Sequence, residues 1–173
     1  MDLNNAISLI RTPLLIKPHP TRWADLGAGS GLFTKALAGL LYEGSEIYAV
    51  DKKPTSVFSD FPQDVNLKQL TLDFVRNELP FSGLDGILMA NSFHYVKEKV
   101  AFIEKLKQAL KKAGMLIIVE YDTSIPVGNW APYPVDFSNL KTLFMKVGFG
   151  IVEKLSEYPS AYGRKMYSAI IGY

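Results

Sequence analysis

The chain has 173 residues, 48% hydrophobic and 21% charged, which suits one compact domain with one main core and argues against disorder, a fibrous repeat or a second catalytic domain. Its 19 Lys and Arg against 17 Asp and Glu leave a net charge of +2, which neither requires nor excludes a nucleic-acid partner. The absence of cysteine excludes disulfides, thiolate metal sites and a cysteine nucleophile, and with only His19 and His94 a histidine-rich metal centre is disfavoured. The first residues, Met1 to Asn5, lack the basic start and apolar run of a signal peptide, and no stretch is apolar for long enough to span a bilayer. A cytoplasmic location is expected.

Ala6, Leu9 and Ile10 have helical spacing, and Pro13, Pro18 and Pro20 close this lead-in before the first strand, Trp23 to Leu26. After a glycine loop, Leu32, Phe33, Ala36, Leu37 and Leu40 predict an amphipathic helix stopped near Gly44. Ile47 to Val50 reads as a strand ending at Asp51, Val65 to Leu70 as a third ending near Asp73, and Leu84 to Met89 as a fourth. A helix is expected next, with Val100, Ile103, Leu106 and Leu110 inward and Lys99, Lys105, Lys107, Lys111 and Lys112 on a solvated face. Met115 to Val119 has the continuous apolar character of a central parallel strand. Beyond a Pro-rich stretch from Pro126 to Pro134, Phe137, Leu140, Leu143, Phe144 and Val147 define a helix stopped at Gly148. Strands at about Phe149 to Glu157 and Lys165 to Ile171, around a turn with Pro159 and Gly163, form a closing hairpin. Strand–helix alternation of this kind predicts an α/β, doubly wound, mostly parallel sheet of about seven strands with an antiparallel C-terminal hairpin and helices on both faces. Such sheets bind ligands at the carboxyl ends of their strands.

The residues at those ends carry the chemistry. Gly27, Gly29 and Gly31 let the backbone turn sharply and approach a ligand closely. Asp51, at the end of the second strand, stands about 20 residues beyond Gly31, the spacing of a carboxylate that holds a ribose diol. An adenosine moiety is implied. The dinucleotide fingerprint fails, because its third small residue falls on Leu32 or Thr34, and no Gly-Lys-Ser/Thr follows to make a phosphate loop. Asp25, just before the loop, repels a pyrophosphate but attracts an ammonium group.

Together, Asp25-Leu26-Gly27-Ala28-Gly29-Ser30-Gly31 resembles the first motif of the class I, Rossmann-like methyltransferases that use S-adenosylmethionine (SAM) and release S-adenosylhomocysteine (SAH). The resemblance runs from about Thr21 to the C-terminus, weaker after Tyr121, so one domain over 1–173 is expected, with 1–20 as lead-in and 21–173 as Rossmann-like core. It implies that Asp25, Gly27, Ala28, Gly29 and Gly31 form the methionine side of the cofactor site. It puts Asp51 on the ribose, Lys52 beside the adenine, and Asp73 and Phe74, in Leu72-Asp73-Phe74, at the adenine amino group and ring. Asn91-Ser92-Phe93-His94-Tyr95-Val96 looks like the loop after the fourth strand in the small-molecule "type 11" group, which includes quinone-biosynthesis enzymes, and adds Asn91 and Ser92 to the cofactor set. The family builds its acceptor pocket where His94, Tyr121, Asp122, Trp130, Tyr133, Tyr162 and Arg164 lie.

Plainer roles stay open for several of these residues. Asp51 and Asp73 each suit the cap of a following helix, with Pro54 in the first turn after Asp51. His94 is a candidate general base, because imidazole changes charge near neutral pH, but a lone loop histidine is more often structural. Trp130 and Tyr133 equally suit loop packing. Glu120 and Asp122 make a weak oxygen-ligand set, so no metal is expected. Direct in-line transfer of the sulfonium methyl needs no protein nucleophile. Without cysteine the covalent route to cytosine carbon-5 is closed, and Asn91-Ser92-Phe93 lacks the Pro-Pro-aromatic pattern of exocyclic-amine DNA methyltransferases, so a small-molecule acceptor leads. The short chain, with only a brief insertion after the fifth strand, leaves two rivals: an open-faced enzyme acting on RNA or protein, or a SAM-binding subunit completed by a homodimer or partner.

Overall fold

The computed structural model describes residues 1–53, 61–159 and 165–173. Its strands are β1 (Arg22–Leu26), β2 (Glu46–Asp51), β3 (Asn66–Thr71), β4 (Leu84–Ala90), β5 (Leu110–Tyr121), β6 (Ile151–Pro159) and β7 (Lys165–Gly172). They form one sheet in the order β3-β2-β1-β4-β5-β7-β6. The first five are parallel, whereas β7 is antiparallel to both β5 and β6. The strand order therefore reverses between β1 and β4, and a crevice opens there at the carboxyl ends.

Strand alternation sends side chains to two cores. Trp23, Ile47, Leu88, Ile117 and Val119 pack with Ala6, Leu9 and Ile10 of α1 (Leu3–Ile10) and with Phe33, Ala36 and Leu37 of α2 (Leu32–Ala38). Ala24, Leu26, Ile87, Met89, Leu116 and Ile118 face the opposite way, toward Phe102, Ile103 and Leu106 of α3 (Lys99–Ala109) and Leu140 and Phe144 of α4 (Phe137–Lys146). The expected doubly wound arrangement is thus present, with helices on both faces. At the β1–β4 seam Trp23 lies opposite Gly86, where an added Cβ would stand 2.2 Å from the indole ring. Among the described residues no helix is long and apolar enough to cross a membrane.

Three expectations need correction. Helix α2 ends at Ala38 rather than near Gly44: Gly39 caps it, with its N–H bonded back to Lys35 O and Leu37 O, and Gly44 instead turns the chain into β2 at φ +79°. Helix α3 buries Phe102, Ile103, Leu106 and Ala109, which leaves Val100 exposed, and Leu110 already has extended backbone. The lysines of α3 are also not a purely solvated face. Lys99 Nζ donates to Val96 O and Tyr133 O, Lys105 Nζ to Phe74 O and Asn77 O, and Lys107 Nζ to Val147 O. Their apolar stems follow the core while the ammonium heads fasten loops at either end. The tip of the closing hairpin, with Gly163, lies outside the described residues.

Candidate functional site

The glycine loop closes on the ends of β1, β2 and β4. Gly27 adopts φ +90°, and a Cβ there would stand 2.4 Å from Ser92 Cβ, so both its conformation and its packing demand glycine. The Gly27 and Ala28 amides donate to Val50 O at 2.8 and 3.0 Å, and Ser92 Oγ donates to Leu26 O at 2.5 Å. Gly31, at φ +79°, is the N-cap of α2. Asp51 straddles the loop. Its Oδ2 accepts the Gly29 N–H at 2.9 Å and its Oδ1 accepts the Lys53 N–H at 3.1 Å. Two bonds do not exhaust a carboxylate, which has about four lone-pair sites. The helix that Asp51 was expected to cap, with Pro54, lies outside the described residues.

A cavity of about 330 Å³ opens beside this loop, lined by Gly27, Gly29, Asp51, Lys52, Phe74, Asn91, Ser92 and Tyr95. Seven of these eight are residues that the sequence marked for the cofactor, brought together from four separate loops. Asn91 has φ +53°, the left-handed region that a non-glycine residue occupies at a cost, and its Oδ1 is buried with no partner among the described residues. Tyr95 was missed, although it sits inside the loop motif that named its neighbours. It also borders an adjoining hollow of about 490 Å³, which Lys52, Asp73 and Arg76 line as well. Asp73 caps a turn and pairs with a lysine. Its Oδ1 accepts the Val75 and Arg76 amides as a turn cap, while Oδ2 lies 3.2 Å from Lys52 Nζ. Burial alone raises the Asp73 pKa, but Lys52 and those amides outweigh it and hold the carboxyl below its ordinary range.

Asp25 and Ala28 are buried and line neither hollow. Thr34 Oγ1 donates to Asp25 Oδ2 at 2.6 Å, whereas Oδ1 has no partner among the described residues. Burial pushes the Asp25 carboxyl up to about 7, the Thr34 hydroxyl offsets part of the rise, and the charge of Asp51 adds to it.

Of the residues expected to face an acceptor, His94 is buried and held by Glu120, whose Oε2 lies 2.9 Å from the ring Nδ1. Tyr121 and Trp130 lie ring to ring at 5.0 Å, and Trp130 lies 6.3 Å from His94. The Tyr133 amide donates to His94 O, so the segment between β5 and α4 is fastened over this end of the sheet. Asp122 instead joins backbone to hairpin, accepting the Phe137 N–H and pairing with Lys154. Tyr162 and Arg164 lie outside the described residues. Among the described residues no three His, Asp or Glu side chains gather as a metal-binding group.

A family model described as a methyltransferase domain matches residues 24–116, more than half of the chain. No curated protein matches it in sequence. Several solved structures share the fold. The 1,6-didemethyltoxoflavin-N1-methyltransferase of Burkholderia thailandensis, with bound 1,6-didemethyltoxoflavin and SAH, has a TM-score of 0.75 at 16% identity over 98% of this chain and 77% of that one. The YcgJ protein of Bacillus subtilis has a TM-score of 0.71 at 13% identity, and a SAM-dependent methyltransferase of Aquifex aeolicus one of 0.60 at 19%, each over 98% of both chains. The matched segment carries the glycine loop, Asp51 and the β4 loop, and the chain belongs to the methyltransferase-domain family, with the class I, Rossmann-like fold of the SAM-dependent methyltransferases.

Proposed function

We propose that the protein binds SAM between the glycine loop and the β4 loop and transfers its methyl group to a small-molecule acceptor. The observation that carries this reading is the convergence of Gly29, Asp51, Phe74, Asn91 and Ser92 on one cavity of about 330 Å³, a size within the range of roughly 300–1,000 Å³ for small-molecule sites. Asp51 is the ribose ligand, Phe74 meets the adenine face, and the unpaired Oδ1 of Asn91 is an acceptor for the ligand's donors. Bound SAM supplies an electrophilic methyl on a sulfonium, and the protein's part is to orient it and exclude water. The acceptor approaches past Tyr95 and Trp130. A small molecule is favoured over RNA or protein because His94, on that path, is buried beside these rings.

Isothermal titration with SAM, SAH and NAD in parallel tests the cofactor, with saturable binding of the first two and none of NAD expected. Incubation with methyl-labelled SAM and cell extract tests the acceptor class. Label recovered only in RNA or protein would overturn the small-molecule reading. One observation favours the partner-completed variant: Trp130 and Tyr133, which both meet the His94 segment, are exposed. Activity that appears only above a concentration at which the chain dimerises would support it.

A further inference from the structure

Asp73 lines the hollow of about 490 Å³ but not the cofactor cavity, whereas Phe74, the next residue, lines the cavity but not the hollow. The Asp73 carboxylate is fully occupied. Its Oδ1 accepts the Val75 and Arg76 amides at 3.1 and 3.3 Å, and Oδ2 lies 3.2 Å from Lys52 Nζ and 3.7 Å from Arg76 Nε. Those contacts take up the roughly four lone-pair sites of a carboxylate, whereas Asp51 has sites to spare. The turn that carries Asp73 is also pinned, because Lys105 Nζ donates to Phe74 O and Asn77 O at 2.7 and 2.8 Å. The 6-amino group of an adenine therefore finds no open acceptor on Asp73. A purine whose ribose sits at Asp51 and whose face lies on Phe74 turns its far edge, which bears the 6-amino group, away from the ribose. Lys52 and Tyr95 line both the cavity and the hollow, so that edge looks between them into the hollow. Much of the hollow's lining is apolar. Val96 and Phe102 are buried there, Val75 and Ala101 join them, and the Phe102 ring lies 5.9 Å from that of Phe74.

We propose that this hollow is a second compartment of the cofactor site, open to the 6-position of the purine, so that the site takes adenosyl ligands with an aromatic substituent on the 6-amino nitrogen and does not require that amino group. The proposal rests on the cofactor reading above. It departs from the role that the family resemblance implies for Asp73, which here holds its own turn and Lys52 rather than the adenine. The hollow is large enough for such a substituent, since about 490 Å³ lies within the range of roughly 300–1,000 Å³ for small-molecule sites.

Titration calorimetry with SAH and two analogues tests this without turnover. In S-inosylhomocysteine an oxygen replaces the 6-amino group; the other analogue is SAH with a benzyl group on the 6-amino nitrogen. A carboxylate that gripped the amino group would make the inosyl compound bind roughly tenfold or more weakly than SAH. The expected result is that both analogues bind within about threefold of SAH, or more tightly. Ala101→Trp then fills the hollow from an exposed position on α3, where a large side chain does not disturb the core. It is expected to weaken the benzyl compound by roughly tenfold or more while SAH stays within about threefold, and the retained SAH binding shows that the variant is folded. A loss of about tenfold or more for either analogue on the unmutated chain overturns the proposal. So does a response to Ala101→Trp that is equal for SAH and the benzyl compound, because the benzyl group would then lie outside the hollow. If SAH itself does not bind the unmutated chain, the cofactor reading falls and the proposal with it, whereas binding of SAH alone overturns only the proposal.

Discussion

Asp51→Ala separates two jobs that the structure assigns to one carboxylate. Asp51 ties the glycine loop through the Gly29 amide at 2.9 Å and its own turn through the Lys53 amide at 3.1 Å, and it has lone pairs left to face the cavity. A hydrogen bond to a charged group contributes roughly 1.5–3 kcal/mol, and about 1.4 kcal/mol is a factor of ten in affinity. Losing one ribose hydroxyl contact therefore weakens SAM at least about tenfold, and losing both weakens it roughly a hundredfold or more. Loosening of the loop would also weaken binding, so the decisive comparison uses an SAH analogue that lacks both ribose hydroxyls. Titration calorimetry of SAH and this analogue, on the unmutated chain and on Asp51→Ala, closes a double-mutant cycle. A large loss for SAH with a small one for the analogue is expected. Equal losses for the two would make Asp51 a loop strut only, and no loss for either would refute the ribose assignment outright.

Gly27→Ala places a methyl group 2.4 Å from Ser92 Cβ at φ +90°, so a strain of about 1–3 kcal/mol should lower Tm by several degrees and abolish SAM binding. An unchanged melting curve would contradict the packing at this loop. Asp25 has a folded pKa of about 7 against an ordinary 3.8, so between those values the folded chain holds a proton that the unfolded chain has released. Its contribution to stability therefore falls as pH rises through that window and levels off above 7. Asp25→Asn keeps an acceptor for Thr34 and should gain stability over the unmutated chain across the window, by an order of a few kcal/mol at its alkaline end. Urea unfolding at both ends measures this, and a constant difference would show that Asp25 ionises freely. Lys99→Met removes the donor shared by Val96 O and Tyr133 O, so amide exchange near Tyr133 should quicken by roughly tenfold or more while SAM affinity holds. Unaltered exchange there would mean that the Tyr133 amide bond to His94 O fastens the segment alone.

What the sequence made legible was whatever depends on local pattern plus the rule that ligands gather at strand ends. Gly27 and Gly29, Asp51, Phe74 and the Asn91-Ser92 pair each sit at or just past the end of a strand, and the crevice between β1 and β4 brings them to one cavity. Asp25 met a different fate for a reason that period-two alternation contains. Alternation puts Asp25 on the face of Trp23, under α2, where Thr34 waits, and that position removes it from the cavity. In α3 the expected inward stripe holds at Ile103, Leu106 and Leu110 but not at Val100, whose place at the start of the face is taken by Phe102, with Ala109 joining it.

The His94–Glu120 pair was not legible, because its partners are 26 residues apart and belong to different elements. Strand adjacency supplies the missing step. Strands β4 and β5 run side by side in parallel with Ala90 opposite Val119, and the Asn91 amide bonds to Val119 O. A loop leaving β4 at Asn91 must then pass the end of β5, where Glu120 shares a face with Leu116 and Ile118. An acid at that register reaches the β4 loop. Asp122, two positions on and past the end of β5, bonds instead to Phe137 and Lys154. Register, more than residue type, decides which of the two acids meets the histidine.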